Sequence, residues 1–302
     1  MTWNLWWRFG PWEQRRPAIV ELIRSVDPDV LCLQEVWSDQ TTDEADRIAE
    51  ATGLHAVRTT PIPHAGQSFG NAILSRWSLD VIADEALPRT DGEPGHRRVV
   101  TAAVETPWGR WPVASTHLDH RFDASATRQH QVTRLLERAI DWRDDPEQDL
   151  PLIVGADLNA VADSDEVRLI TGRRPGVAGI VFSDVWEQVG RGSGHTWLGD
   201  NPYTAGSAWP DRRLDYVLVS WPRPKPTGNP ERAWIVGDGP SIVGGDKIWP
   251  SDHAAVVAEL TTPERSIATT SAWMPPAGAL TSSRPKALDR TQRPTATATG
   301  VG

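Results

Sequence analysis

The chain has 302 residues, a formal net charge of −9, and 39% hydrophobic against 24% charged residues, the balance of a soluble globular protein. No apolar run approaches a membrane span, and the single cysteine, Cys32, excludes both a disulfide framework and a metal site built on thiolates. An acidic body argues against broad electrostatic capture of nucleic acid, although it does not exclude a nuclease.

Thr2 to Trp7 reads as a first strand, with Asn4 inside it, and an aromatic loop from Phe9 to Trp12 follows. The chain starts almost within that strand, so residues can be missing before it. No basic segment followed by an apolar core appears at the amino terminus, and the expected location is cytoplasmic. Ile19, Leu22, Ile23 and Val26 recur at helical spacing and predict a helix over Gln14–Val26, closed by Asp27-Pro28. Val30 to Leu33 is a buried strand, with a buried thiol at Cys32, and it stops at Gln34-Glu35. A polar helix covers Asp43–Thr52.

Short strands separated by turns come next: Asn71–Ser75, Ser78–Ala83, Val99–Glu105 and Arg110–Thr116, which suggests antiparallel pairing. The segment from Pro88 to Arg98 is turn-rich and reads as an exposed loop. A long helix, Ser125–Trp142, carries Val132, Leu135, Leu136, Ala139 and Ile140 as its core stripe. Leu150 to Ala160 (LPLIVGADLNA) is an apolar strand in which Gly155 allows a sharp turn, leaving Asp157 and Asn159 on the loop. Asp and Asn also populate ordinary turns after strands, and this stretch alone does not decide between chemistry and a turn.

Asp165–Thr171 is a short helix, Gly172–Asp211 is irregular, and Leu214–Ser220 and His253–Leu260 are strands, with AWIVG between them. Beyond Thr262 the chain turns rich in Pro, Thr, Ser and Ala with no period, which divides it into a folded domain over 1–262 and a disordered tail over 263–302.

Polar residues flank these strands repeatedly: Asn4 within the first; Gln34-Glu35, His117 and Asp119, and Asp157 and Asn159 after apolar runs; Asp215 at the start of its strand; and Ser251, Asp252 and His253 just before the last. A lone buried Asn or His is usually structural, but carboxylates, amides and imidazoles at so many strand ends point to a shared cleft. With thiolates excluded, the candidate metal ligands are oxygen and imidazole donors, which suit a hard cation such as magnesium, with manganese as the alternative. Arg97, Arg98, Arg212 and Arg213 can grip phosphates, and Asn71 can face the cleft.

Taken in order, TWNLW, LQE, GNAILSR, THLD, GADLNA, RRLDYVL and SDH resemble the endonuclease/exonuclease/phosphatase family of metal-dependent phosphoesterases, typified by deoxyribonuclease I and exonuclease III. The resemblance covers about residues 1–262. It implies a four-layer α-β-β-α sandwich with two packed mixed sheets, and a site in a cleft at one edge of the sheets. It also implies that Glu35 and Asp252 hold a divalent metal, with Asn4 at the coordination sphere or on Glu35. Asp157 would then activate water, and Asn159 and His117 would donate to phosphate oxygens. His253, paired with Asp215, would act as a base or as a cation facing the phosphate. Asn71, Arg98 and Arg213 are the candidate substrate contacts.

The expected activity is hydrolysis of a phosphodiester or phosphomonoester by a monomer with no stable membrane insertion. The substrate is either nucleic acid or a small or lipid-linked phosphate. The contrasting class is a catalytically silent binding module, which would be expected to lose the acid, the amide or the terminal histidine. All three are present.

Overall fold

The apolar runs become strands and the helical stripes pack outside them. The computed structural model describes residues 1–91, 93–143, 145 and 148–263. The expected disordered tail lies, but for its first residue, outside the described residues.

In chain order the first half contains β1 (Thr2–Asn4), α1 (Trp12–Val26), β2 (Val30–Ser38), α2 (Glu44–Thr52), β3 (His55–Arg58), β4 (Ile62–His64), β5 (Gln67–Ser75), β6 (Leu79–Pro88), β7 (Pro94–Thr106) and β8 (Gly109–His117). The second half adds α3 (Ser125–Asp141), β9 (Ile153–Asp157), α4 (Asp165–Ile170), β10 (Val181–Asp184), α5 (Val185–Val189), β11 (Asp215–Trp221), β12 (Pro230–Val236), β13 (Ser241–Val243), β14 (Asp246–Ile248) and β15 (Ala255–Leu260).

Two large mixed sheets result. One runs β12-β15-β1-β2-β5-β3, with β4 also on β5, and the other runs β10-β11-β9-β8-β7-β6. Each contains one parallel pair, β1 with β2 and β8 with β9. The first sheet buries Leu31, Leu33 and Leu74 against Ile19 and Ile23 of α1 and Ile48 of α2. The second buries Val154, Tyr216 and Leu218 against Val132, Leu135 and Leu136 of α3 and Val167 of α4. Their inner faces meet through Cys32, Ile73, Val100, Val104 and Val113. The layers are therefore helix, sheet, sheet, helix, as the sequence implied. No helix among the described residues is long and apolar enough to cross a membrane.

Several local expectations change. Gly155 makes no turn: it lies inside β9, where an added Cβ would sit 2.4 Å from the Cys32 Cβ and 3.0 Å from the Thr2 Cβ. The residue is glycine because the two sheets touch there. β2 does not stop at Gln34-Glu35 but continues to Ser38, with its pairing to β5 shifted between Leu33 and Val36. Glu35 sits in that bulge with a left-handed φ of 52°, which turns its side chain out of the alternation. The expected Pro88–Arg98 loop is shorter, because β7 begins at Pro94 and carries Arg97 and Arg98 within a strand. The irregular stretch after Gly172 contains β10 and α5, both too short to leave a periodic signal.

Candidate active site

Three neighbouring strands of the second sheet finish on one rung. His117 of β8 pairs with Asp157 of β9, and Asp157 pairs with Asp215 of β11. Paired residues point to the same face, so an imidazole and two carboxylates stand side by side because of register alone. Across the seam, β1 and β2 run parallel, and their pairing ends with Asn4 opposite Gln34. The close approach at Gly155 lets one sheet reach the other. The Asn4 amide donates to Asp157 Oδ2 at 2.9 Å, while its carbonyl oxygen accepts the Trp6 N–H at 2.9 Å. Gln34 Nε2 lies 3.2 Å from Ser115 Oγ and 3.3 Å from the Gly155 carbonyl, tying the sheets just behind the rung.

The segment before β15 supplies the other wall. Ser251 Oγ donates to the Asn4 carbonyl at 2.7 Å and receives the His253 N–H at 3.2 Å. The Trp3 indole N–H donates to the His253 carbonyl at 2.9 Å, and the Trp197 ring meets the His253 ring edge-on at 5.1 Å. His253 Nδ1 is 2.7 Å from Asp215 Oδ2, and its Nε2 is 3.9 Å from Asp157 Oδ2.

Charge is dense and largely removed from water. Burial, then Asp215, pushes the Asp157 carboxyl up to about 6, against the pull of His253 and Asn4. Burial pushes Asp252 up to about 7, with Glu35 and Asp157 adding to it against His253 and Arg15. Burial opposes a charged His253, but Asp215, Asp157 and Asp252 outweigh it and hold the imidazole well above its ordinary pKa. His117 goes the other way: burial and the nearby Arg97 keep it well below the usual value. Arg97 Nη1 lies 2.9 Å from its Nδ1, and its Nε2 faces Asp157 Oδ2 at 3.3 Å. The Asn159 amide nitrogen is 2.8 Å from the same Nε2, and its backbone N–H donates to Asp157 Oδ1 at 2.9 Å.

The structure thus brings together His117, Asp157, Asn159, Asp215, His253, Asn4, Glu35 and Asp252. Glu35 Oε1 lies 3.9 Å from His117 Nδ1. Asn4 hydrogen-bonds Asp157 rather than the Glu35 partner that the sequence suggested.

Three expected substrate contacts are placed elsewhere. Asn71 is buried and donates to the Arg98 carbonyl at 2.8 Å, bracing the two sheets. Arg98 is tied to Asp84 at 2.8 Å, and Arg213 to buried Asp184 at 2.7 Å with its guanidinium over the Tyr216 ring. Alternation decides this, since adjacent strand residues face opposite sides and Arg97 takes the side toward His117.

Arg15 went unnoticed in the sequence. Buried on α1, it donates to the carbonyls of Leu5, Pro250, Trp6, Trp7 and Phe9 and so fixes the loop after β1, where Trp6 and Trp7 hold left-handed φ angles of 57° and 38°. An arginine in a helix otherwise studded with charge gives no signal of burial.

Ligand atoms of Asp157, Asp215 and His253 lie within 4.8 Å of one another and can hold a metal ion. Asp215 Oδ1 is buried without a hydrogen-bond partner, an acceptor with nothing to accept. Carboxylates forced together and short of donors fit a hard divalent cation. The tight pairing of His253 with Asp215 favours the proton over the metal at that imidazole, which leaves oxygen ligands for the cation.

The amino-acid sequence matches the model of the Endonuclease/Exonuclease/phosphatase family over residues 1–253. Protein angel of Drosophila melanogaster is 24% identical over 175 residues, 55% of this chain and 48% of that protein, so the chain spans about half the length of the curated relative it matches. Two solved structures share the fold. Zebrafish (D. rerio) TDP2 in complex with single-strand DNA product superposes with a TM-score of 0.65 at 19% identity, covering 86% of this chain and 97% of that one. A mannosyl-6-phosphatase of Bacteroides thetaiotaomicron gives 0.64 at 19% identity, covering 86% and 98%.

Proposed function

The chain belongs to the endonuclease/exonuclease/phosphatase family, whose members hydrolyse phosphoester bonds, and on that premise we propose that it is a magnesium-dependent phosphoesterase. The observation that carries the reading is the single rung His117–Asp157–Asp215, closed by His253. Hydrolysis needs a positioned water, a phosphate held in line with it, and positive charge to meet the charge that develops.

Asp157, hydrogen-bonded by Asn4 and by the Asn159 N–H, orients the attacking water and accepts its proton. A carboxyl raised to about 6 is a stronger base than an ordinary aspartate while still ionised at neutral pH. Asn159 and the neutral His117 donate toward a non-bridging phosphate oxygen. His253 is read as a cation rather than a base. Asp215 holds its Nδ1 side at 2.7 Å, and the free Nε2 faces the phosphate. Glu35 and Asp252, near enough for Glu35 to help raise the buried Asp252 carboxyl, are the proposed metal ligands beside the Asp157–Asp215–His253 group, with Asn4 holding Asp157 rather than the cation. When bound, the magnesium ion supplies Lewis-acid charge against the phosphoryl oxygens.

The substrate is a nucleic acid or a small or lipid-linked phosphoester, and the relatives include proteins whose names carry both kinds of chemistry. The purified protein is expected to hydrolyse an activated phosphoester with magnesium and to stop on chelation. His253→Ala should lower kcat about 100-fold or more while the circular dichroism spectrum is retained. Turnover that persists in excess chelator, or in His253→Ala at the wild-type rate, would contradict this assignment.

A further inference from the structure

Among the described residues, two arginines flank the rung without a carboxylate partner of their own. Arg97 contacts imidazole nitrogens, His117 Nδ1 at 2.9 Å and His120 Nδ1 at 3.0 Å, and has no carboxylate within 4.0 Å among the described residues. Arg212 likewise has no carboxylate within 4.0 Å among the described residues, and its Nε is buried without a hydrogen-bond partner. The arginines around them are neutralised: Arg89 by Asp91 at 2.8 Å, Arg98 by Asp84 at 2.8 Å, Arg121 by Asp119 at 2.9 Å and Arg213 by Asp184 at 2.7 Å.

Both unpaired cations are built into position. Arg97 is half-buried in β7 and lines a cavity of about 1130 Å³ that also holds Glu35. Arg212 is placed by a small ladder in which Trp197 pairs on one side with Arg212 and on the other with His253. Residues paired in this way share a face, so Arg212, Trp197 and His253 stand in a row. Two aromatic rings fix the guanidinium, Phe122 at 5.3 Å and Trp209 at 5.0 Å, and those rings meet each other at 5.0 Å with their planes tilted by 33°. Phe122 and Trp209 are 64% and 47% exposed, an arrangement with no packing benefit to the core. Their evident use is to hold the arginine.

The charge balance gives the two arginines a purpose. Glu35, Asp157, Asp215 and Asp252 crowd one site and repel an incoming phosphate. A divalent cation and the His253 imidazolium offset part of that charge. A phosphodiester brings one negative charge, whereas a terminal phosphate brings nearly two at neutral pH, with three oxygens free of carbon. Guanidinium forks on opposite sides of the rung match the second case. A polymer would instead need unpaired cations along the same cavity, and the other arginines that line it, Arg89 and Arg121, are already paired.

We propose that Arg97 and Arg212 clamp one terminal phosphate from opposite sides, so that the preferred substrate is a phosphomonoester. This rests on the hydrolase reading above and narrows it. Water adds to phosphorus, the ester P–O bond breaks, and the leaving alcohol departs with a proton. The second product is inorganic phosphate.

The test pairs 4-nitrophenyl phosphate with bis(4-nitrophenyl) phosphate in magnesium, and titrates inorganic phosphate into the same proteins by calorimetry at about pH 8, where phosphate is a dianion. Wild-type kcat/KM is expected to favour the monoester. Arg212→Ala should shrink the monoester-to-diester ratio about tenfold or more and weaken phosphate binding by a similar factor. Arg212→Lys should recover part of both, and Arg97→Gln should weaken phosphate binding in the same direction. Phe122→Ala, which leaves the guanidinium in place but looser, should shift the ratio less. A ratio unchanged in Arg212→Ala, or a wild-type preference for the diester, overturns the clamp. If neither ester is hydrolysed, the hydrolase reading fails and the phosphate titration alone decides. Affinity equal in wild type and Arg212→Ala, or no binding to either, then overturns the clamp.

Discussion

The seam between the sheets has two ends that use the same spacing for opposite purposes. At one end Cys32, Ile73, Val100, Val104 and Val113 close on each other without a charge among them. At the other, Asn4, Asp157, Asp215 and His253 are as deeply buried but carry hydrogen-bonding or ionisable groups. Gly155 lies between, and the contact it permits brings Asn4 within 2.9 Å of Asp157. The dry end fixes a distance, and the polar end is the proposed site of chemistry across it. Stability and activity should therefore separate on mutation, except at the hinge of the two.

The largest stability effect is expected from a residue outside the polar end. Arg213→Met breaks a buried ion pair with Asp184 and leaves that carboxylate with only the backbone N–H groups of Trp186 and Glu187 to offset its charge, at a cost of about 3 kcal/mol. Denaturant unfolding should register the loss while kcat/KM in the folded fraction stays within about threefold, since hydrolysis depends on interactions Arg213 does not make. A large fall in turnover without a stability change would place Arg213 in the site after all.

Gly155→Ala is the variant that should damage both properties. Its Cβ would meet the Cys32 Cβ at 2.4 Å, inside any real contact, and pushing the sheets apart costs about 1–3 kcal/mol. Because the same shift draws Asn4 away from Asp157, kcat should fall more than in Arg213→Met. If thermal denaturation of Gly155→Ala matches wild type, the seam is looser than this account requires.

The smallest effect concerns pH. Asp157 and Asp252 are raised to about 6 and about 7, so each binds its proton more tightly folded than unfolded. Their contribution to stability is present below the ordinary carboxyl range and is lost as pH rises through 6 to 7. Magnesium relieves that strain only where the carboxyls are ionised. The rise in Tm on adding magnesium should thus be larger at about pH 8 than at about pH 5.5, by about 2–4 °C per kcal/mol recovered. An equal rise at both pH values would argue that the cation binds elsewhere.

Much of this was legible in the sequence because strand ends are. TWN, LQE, THLD and GADLN each close an apolar run with a polar group and SDH opens one, and the register of β8, β9 and β11 turns that pattern into a rung. What escaped depends on facing and on contacts between distant segments. Arg97-Arg98 and Arg212-Arg213 are adjacent pairs, and in each the neighbour chosen as a substrate contact is the one neutralised by an aspartate. A period of two separates the members of a pair but does not say which one looks inward. Gly155 read as a turn because glycine before Asp-Leu-Asn resembles one, and the Cys32 side chain that demands it is over a hundred residues away in the chain. Glu35 lies in a bulge that its own sequence does not announce.

On the proposed reading, the polar end of the seam hydrolyses a phosphoester through Asp157 with magnesium. Magnesium titration of turnover on an activated phosphoester, run in parallel on wild type and Asp157→Asn, decides whether it does. Saturable, magnesium-dependent turnover in wild type and a kcat lowered about 1000-fold in a folded Asp157→Asn protein are the expected result. Equal turnover in the two proteins, or turnover indifferent to magnesium, would contradict it.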